Sequence, residues 1–232
     1  MTNSLKVVVT KDGSHTLFVP ELNENYHSTF GALTESRHVF IEAGFREAAR
    51  KPDQLRILEV GFGTGLNAFL TLIEAEKIQK EVSYTAIEAF PIDFTIINQL
   101  NFTETTGLKE YSDAFSILHH ASWIPHPQSP ITHQHITDYF TIQKILCKLE
   151  DYRPSSGNFD LIYFDAFSPE KQPEIWSEQI LGSLFNSLVL GGILVTYCVK
   201  GEVVRRLSKI GFKTEKLPGP PGKRQMLRAR KI

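Results

Sequence analysis

Residues 58–69, LEVGFGTGLNAF, place three alternate glycines between an apolar segment and a segment with helical periodicity. Gly61, Gly63 and Gly65 would let the chain turn sharply from a β-strand into an α-helix, and they leave room for a ligand pressed against the backbone. An acidic residue precedes them, and Leu66 stands where a dinucleotide fold would have its third glycine. The spacing favours an S-adenosylmethionine loop over a nicotinamide loop, and a tight turn without a ligand is the remaining interpretation.

Strand-like and helix-like segments alternate on both sides of this loop. The predicted strands are RILEV, SYTAIE, HQHIT, DLIYFD, ILVTYCV and two at the end of the chain; the predicted helices begin at about Leu66, after Pro91, near 140–149, around 177–189 and at about Glu202. This order is typical of an α/β fold, in which helices cover both faces of a parallel sheet.

The N-terminal segment has a different pattern. KVVVT and HTLFV flank Lys11-Asp12-Gly13-Ser14, which predicts a β-hairpin. Thr34 is the predicted N-cap of a helix that runs to about Arg50. We therefore expect residues 1–50 to form a hairpin and helix extension packed on the core, and residues 51–232 to form the main domain.

Several acidic residues and a glycine stand at the ends of predicted strands. The set is Glu59, Gly61, Glu88, Asp138 and Asp165. Ligands of parallel sheets bind at the carboxyl ends of the strands, so the set predicts one binding edge. Glu88 would accept hydrogen bonds from both hydroxyls of a ribose, and the glycine loop favours this over a merely exposed carboxylate. For Asp138, adenine recognition and simple exposure are equally supported.

The segment FDAFSPEKQPEIW, residues 164–176, ends the fourth predicted strand of the series. Asp165 would face the reactive end of a ligand lying over the first two strands. Phe167 and Pro169 would form an apolar wall, and Lys171 and Trp176 would continue it as a rigid lip. An aromatic-rich connection without a binding role is the other interpretation.

These motifs occur in an order that resembles a known family. ENYHSTFGALTESRHVFIEAG, LEVGFGTGLN, IEAFP, FDAFSPEKQPEIW and GKRQM are similar to the methyltransferase part of the MnmC family of bifunctional tRNA-modifying enzymes. The resemblance implies a class I S-adenosylmethionine-dependent methyltransferase fold. It also implies methylation of the aminomethyl group on a wobble uridine of tRNA. By the same resemblance Tyr26 and Glu35 would contact the cofactor; the alternative is that their segment is only a helix packed on the sheet.

Two departures from the family pattern bear on function. Since the chain ends at Ile232, we expect no flavin-dependent oxidase domain, so the substrate uridine would already carry a free aminomethyl arm. The terminal basic motif of the family is Lys-Arg-Glu-Met, whereas here Gln225 follows Lys223 and Arg224.

Asp165 has the role best suited to this reaction. Methyl transfer moves positive charge from a sulfonium onto the amine nitrogen, and a nearby anion stabilises that charge. Because a carboxylate also favours the protonated amine, burial against Phe167 and Pro169 must offset it. We expect Asp165 to orient the amine and receive its charge; whether it also takes the proton stays open.

The charge distribution predicts one basic face. The net charge is −1, but from Lys200 onward 11 Lys and Arg residues oppose only Glu202 and Glu215. Such asymmetry suits phosphate binding, although a solvated surface would also explain it. The candidate tRNA contacts are Lys200, Arg205, Arg206, Lys223, Arg224 and Arg228, and we favour Lys223 and Arg224, near the edge that holds Asp165.

The remaining features exclude other classes. Two distant cysteines suit a reduced cytoplasmic interior, and we expect no signal peptide. We also expect no membrane segment, because the uncharged stretch 179–199 has the pattern of a helix, a turn and a strand. Five histidines lie within 119–135, but their His-x-His pair has no third ligand at the spacing of a metal site. We therefore expect a surface loop and no metal. Three functions remain: a tRNA methyltransferase, a nicotinamide oxidoreductase and a noncatalytic RNA-binding module.

Overall fold

The computed structural model describes residues 5–50, 53–107, 109–125 and 132–232. The strands are β1 (Lys6–Val9), β2 (His15–Val19), β3 (Glu24–Asn25), β4 (Gln54–Val60), β5 (Glu81–Glu88), β6 (Trp123–Pro125), β7 (Gln134–Thr137), β8 (Phe140–Leu146), β9 (Phe159–Phe164), β10 (Leu188–Thr196), β11 (Phe212–Pro218) and β12 (Gln225–Lys231). The α-helices are α1 (Ala32–Ser36), α2 (Arg46–Ala48), α3 (Leu66–Ile78), α4 (Phe94–Ile97), α5 (Phe102–Thr106), α6 (Ser112–His120), α7 (Glu178–Ser187) and α8 (Gly201–Ile210).

A nine-stranded sheet forms the centre of the molecule. Its order is β11-β12-β10-β9-β4-β5-β8-β6, with β7 beside the first half of β8. The strands from β10 to β6 are parallel, and β12, β11 and β7 run antiparallel to their neighbours. Two buried clusters of apolar side chains cover the two faces of the sheet. The predicted α/β fold is confirmed.

The two strands that hold the glycine loop and Asp165 lie at the centre of the sheet. β4 pairs with β5 on one side and with β9 on the other, so the loops after all three strands meet at one edge. α3 follows β4 directly and is buried along most of its length. The site therefore rests on rigid central elements.

The N-terminal hairpin is confirmed, but its helix begins earlier than predicted. α1 starts at Ala32 and continues through a π-helical segment, Arg37–Phe45, into α2. Thr34 does not cap it; instead its N–H and hydroxyl both donate to the Asp12 carboxylate, at 2.9 Å and 2.7 Å. A Cβ on Gly44 would lie 3.0 Å from Val195, so the helix packs directly on the sheet. The division at residue 50 stays a prediction.

The helix predicted near 140–149 is wrong, because Phe140–Leu146 forms β8. The misleading signal is Lys144, a charged residue in a buried strand. Its Nζ donates to the carbonyls of Leu118 and His119 at the end of α6, and it lies 4.6 Å from the Trp123 ring centroid. Burial nevertheless lowers the pKa of Lys144 to about 8.

Most of the stretch 179–199 lies in α7 and β10, so the predicted helix and strand are confirmed. The turn predicted between them is wrong, because Gly191 and Gly192 lie within β10, where its register with β9 shifts. Among the described residues, no helix is both long enough and apolar enough to cross a bilayer.

Candidate active site

A cavity of about 720 Å³ opens at the edge where β4, β5 and β9 end. Its floor is the glycine loop, one side is the segment after Glu88, and another is the segment that begins at Asp165. Residues 24–30 and the loop at Lys223 close it from above. The edge predicted from the strand ends is therefore the edge of a real cavity.

Two glycines of the loop are required by close neighbours. Gly61 has φ 86°, and a Cβ there would lie 2.5 Å from the backbone oxygen of Asp165. Gly63 has φ 50°, and a Cβ there would lie 2.9 Å from the ring of Tyr26. The glycines thus let β9 and the N-terminal segment approach the loop. Gly65 lies beneath the cavity, where His119 packs on it.

Glu88 is fixed between the glycine loop and the loop that follows β5. Its Oε2 accepts from the Gly63 N–H at 3.0 Å, and its Oε1 accepts from the Phe90 N–H at 2.9 Å. A carboxylate has about four acceptor sites, so roughly two remain for a ligand. Its position at the cavity fits the ribose contact predicted for it.

Asp165 lies at the base of the cavity, half-buried, with its backbone N–H bonded to Val60 O at 3.0 Å. Its Oδ2 accepts a hydrogen bond of 2.8 Å from Asn67 Nδ2. Burial raises the pKa of this carboxyl to about 7, against the opposing effects of the Asn67 hydrogen bond and the Lys223 charge; Glu35 adds to the rise. Such a carboxyl changes its charge near neutral pH, as acid–base groups in active sites do.

Two aromatic side chains form the wall above Asp165. The rings of Tyr26 and Phe167 meet edge to face with centroids 5.3 Å apart, and both line the cavity. Burial, together with the charge of Glu88, raises the pKa of the Tyr26 phenol, which therefore stays neutral. The wall limits access of water to the carboxylate.

Glu35 and Lys223 form an ion pair across the cavity. Glu35 is buried, and its Oε2 also accepts from the Ser28 N–H at 2.7 Å. The Lys223 ammonium lies 3.9 Å from the centroid of the Tyr197 ring. Lys223 thus lines the cavity and is already paired with Glu35, so it is a poorer phosphate contact than the sequence predicted.

Other predicted residues lie away from the cavity. Glu59 is fully buried beneath it. Trp176 is also buried; its Nε1 donates to Phe167 O at 2.9 Å, so it supports the wall rather than forming it. Pro169 is buried, whereas Lys171 and Arg224 are exposed, and none of these three lines the cavity.

The placement predicted for Asp138 is wrong. β7 is antiparallel to β8, and Asp138 lies in the turn that joins them, at the amino-terminal edge of the parallel strands. The chain reaches the cavity instead after β8, where residues 147–150 line it. Because β8 was predicted as a helix, residues 147–150 were not expected at the cavity.

The sequence also missed Asn67 and Tyr197. Asn67 is buried in the first turn of α3 and lines the cavity. Tyr197 follows β10 and donates its hydroxyl to Ala166 O at 2.8 Å. Asn67 lies within the glycine-loop motif, and a polar residue directly after the loop is the signal that could have identified it.

The surface loop predicted for the histidine-rich stretch is wrong for three of its four described histidines: His119 and His120 end α6, and His135 lies in β7. His119 is packed against Phe115 and Phe62, and burial lowers its pKa to about 3. The His120 ring packs against the Phe94 ring at a tilt of 47°, and His133 Nε2 lies 3.1 Å from Ser83 Oγ. His126 lies outside the described residues. In the described ranges, no group of three or more His, Cys, Asp or Glu side chains could hold a metal ion.

Most of the predicted basic contacts are already paired within the chain. Lys200 pairs with Glu170, Arg206 with Glu202, and Arg228 with Glu215. Arg205 and Arg224 are exposed, and neither forms a salt bridge within the part of the chain that the structure describes. The C-terminal charge is thus partly neutralised by local carboxylates.

Comparisons with known proteins agree with this geometry. Residues 125–232 match the family model of an S-adenosyl-L-methionine-dependent methyltransferase. The chain is 33% identical over 221 residues to the tRNA 5-methylaminomethyl-2-thiouridine biosynthesis bifunctional protein MnmC of Leptospira borgpetersenii, covering 87% of this chain and 31% of that protein. Identity to the Delftia acidovorans protein of the same name is 31% over 224 residues, covering 92% of this chain and 33% of that protein.

Solved structures give the same fold. The crystal structure of MNMC2 from Aquifex aeolicus superposes with a TM-score of 0.70 at 23% identity, covering 97% of this chain and 69% of that one. Spermidine synthase from Thermotoga maritima shares the fold with a TM-score of 0.55 at 14% identity, covering 94% of this chain and 69% of that one.

These similarities confirm the resemblance, the class I methyltransferase fold and S-adenosylmethionine as the cofactor. The chain spans about a third of the length of the curated relatives that it matches.

Proposed function

Because the chain is related to the MnmC proteins over most of its length, we propose that it methylates the amine of 5-aminomethyluridine or its 2-thio form at the tRNA wobble position. The product is the corresponding 5-methylaminomethyl nucleoside. The observation that carries the proposal is Asp165, a carboxyl beside the glycine loop at the base of a cavity walled by aromatic rings.

The residues of the cavity fit S-adenosylmethionine. Gly61, Phe62 and Gly63 line the cavity, so a ligand can lie against the backbone of the loop. Glu88 has about two acceptor sites left for ribose hydroxyls, and residues 147–150 lie beside it for the base. Tyr26 and Glu35 close the cavity from the N-terminal side. When bound, the cofactor supplies an electrophilic methyl group on a positively charged sulfur.

Asp165 has two tasks in this reaction. It orients the incoming amine by accepting a hydrogen bond, and it stabilises the positive charge that develops on the nitrogen. The wall of Tyr26 and Phe167 limits the access of water to Asp165, which strengthens both effects. Since the sulfonium is already a good leaving group, alignment of the amine with the methyl group provides most of the acceleration.

The tRNA would bind over the mouth of the cavity. Arg224 is exposed beside the paired Lys223, and Phe30 is exposed at the mouth with the Lys11 ammonium 4.1 Å from its ring centroid. Cations bind phosphates without reading sequence, and exposed aromatic rings can stack on unpaired bases. A tRNA-modifying enzyme acts where tRNA is present, so we also propose a cytoplasmic location.

Mass spectrometry of tRNA nucleosides tests the proposal. tRNA that carries the aminomethyl group is incubated with the protein and S-adenosylmethionine, and conversion to the methylaminomethyl nucleoside is expected. The Asp165→Asn protein is the control, and its single-turnover rate should be at least about tenfold lower. If the parent protein leaves the nucleoside unchanged while it binds S-adenosylhomocysteine, the substrate assignment is wrong.

The other two candidate functions fit less well. A nicotinamide oxidoreductase is not favoured by the comparisons. A melting temperature of the protein that rises with NAD but not with S-adenosylhomocysteine would support it instead. A noncatalytic RNA-binding module gives no role to a half-buried carboxyl with a raised pKa at the base of the cavity.

A further inference from the structure

Asn67 joins two carboxyl groups at the base of the cavity. Its Nδ2 donates to Glu59 Oε1 at 3.0 Å and to Asp165 Oδ2 at 2.8 Å. A side-chain amide has two N–H groups, so both are used. Asn67 is 3% exposed and Glu59 is not exposed at all, so water does not replace either bond.

The two carboxyls cannot both be charged at low cost. They meet at one nitrogen atom, and like charges that share a buried site raise the pKa of at least one group. Burial raises the pKa of Glu59 well above its ordinary value, and the charge of Asp165 adds to this rise. Asp165 lines the cavity and Glu59 does not, so the proton is retained on Glu59 and the charge appears on Asp165.

The local backbone fixes the position of Asn67. It is the second residue of α3, directly after the glycine loop. One turn later, Thr71 Oγ1 donates to Asn67 O at 2.7 Å. The amide must turn its NH₂ toward the two acids, because the amide oxygen would otherwise face carboxyl oxygens.

We infer that Asn67 is a positioning residue, which holds Oδ2 of Asp165 with one amide hydrogen and a neutral Glu59 with the other, and so leaves Oδ1 of Asp165 for the substrate amine. The part of this inference that concerns the amine rests on the proposed function. Within the described residues, Asp165 Oδ1 has no side-chain hydrogen bond. A fixed carboxylate presents one oxygen at one angle, which the alignment of amine and methyl group requires.

Other titratable groups also act on Asp165, and each must be kept constant in a test. They are Glu59 on β4, Tyr84 on β5, Glu35 on α1, Lys223 in its loop and Tyr197 after β10. A variant at Asn67 leaves all five in place.

The test is a titration of Asp165 by carbon NMR on protein labelled at the aspartate carboxyl carbon, with Asp165→Asn assigning the resonance. Asn67→Leu keeps the branched shape of the side chain but donates nothing, so the midpoint of the Asp165 titration should move to higher pH. Ser187→Ala is the control: it removes a buried hydroxyl in α7, away from the cavity, and should leave the midpoint unchanged. An unchanged midpoint in Asn67→Leu overturns the inference, as does an equal movement in Ser187→Ala.

Two further measurements complete the test. Asn67→Leu should lower the single-turnover methyl-transfer rate about tenfold while S-adenosylhomocysteine affinity changes less than about threefold. Glu59→Gln should titrate like the parent, since a neutral amide replaces a neutral acid; a lower midpoint would mean that Glu59 is charged and would refute its neutral role. If Asn67→Leu does not fold, Asn67→Ala, which also donates nothing, replaces it with the same expectation.

The outcomes separate this inference from the proposed function. A parent protein that methylates no tRNA refutes the function, whereas the carboxyl titration still decides whether Asn67 holds Asp165. A parent that is active, with an Asn67→Leu protein of parent-like rate and midpoint, refutes the positioning role alone.

Discussion

Asp165→Asn should stabilise the folded protein, and the gain should increase with pH. The pKa of Asp165 is raised from 3.8 to about 7 by burial. The folded state therefore holds a proton between these values that the unfolded state has lost, so the parent protein loses stability as the pH rises through this window. Asparagine does not titrate and keeps an oxygen that can accept from Asn67, so the variant avoids this loss.

The linkage relation gives the size of the effect. A pKa of 3.8 in the unfolded state and about 7 in the folded state gives a change of roughly 2.6 kcal/mol between pH 5 and pH 8. Since Asp165 is only half-buried and lines an open cavity, water hydrates it in part, and we expect about 1–2 kcal/mol. The variant should therefore gain about this much relative to the parent between the two pH values.

Urea denaturation of both proteins at pH 5, 6, 7 and 8 measures the effect. Taking the difference between the two proteins at each pH removes the contributions of groups that titrate identically in both. Asp160→Asn is the control on the same strand: Asp160 accepts from Arg56 at 3.0 Å and 3.1 Å, so its loss should destabilise the protein rather than stabilise it. A difference between Asp165→Asn and parent that stays flat from pH 5 to pH 8 would refute the raised pKa.

Four other variants have definite expected results. Glu88→Ala should weaken S-adenosylmethionine binding by roughly 1.5–3 kcal/mol, because charge-assisted hydrogen bonds are lost; calorimetry with unchanged affinity would reject the ribose contact. Arg224→Ala should weaken tRNA binding and reduce the slope of log affinity against log salt concentration by about one. Lys223→Ala breaks an internal ion pair and should change this slope less. Filter binding at several salt concentrations compares the two variants. Trp176→Phe should lower stability by about 1–3 kcal/mol in urea denaturation, because it removes the bond to Phe167 O and leaves a gap at a buried position; equal stability would show that neither the bond nor the indole packing contributes.

The parts of the site that the sequence could predict are those encoded by local pattern. The glycine loop, Glu88 and Asp165 each follow an apolar strand, and the carboxyl ends of parallel strands meet at one edge. Asp138 also follows a strand-like segment, but that segment runs antiparallel to β8. Strand direction depends on pairing between distant segments, which periodicity does not report.

β8 shows how tertiary contacts override a local pattern. A lysine and a glutamine side by side in FTIQKIL reduce the apparent alternation of a buried strand. The buried Lys144 is tolerated because two carbonyls at the end of α6 accept its hydrogens. That solution requires a helix 25 residues away in sequence to end at the same place, so no window of sequence could reveal it.

The Glu35–Lys223 pair is the clearest case of a feature that only the fold creates. The two residues are 188 positions apart, and each stands in a motif whose family resemblance suggested a different partner, the cofactor for one and RNA for the other. The two charges of the pair act on Asp165 in opposite directions: Glu35 raises the pKa of that carboxyl, and Lys223 lowers it. If an incoming RNA phosphate drew Lys223 away from Glu35, the charge that lowers the pKa of Asp165 would move off, and the carboxyl would hold its proton more tightly. An enzyme that must keep Asp165 charged when RNA is bound therefore benefits from keeping Lys223 paired, which leaves the exposed Arg224 as the better phosphate contact.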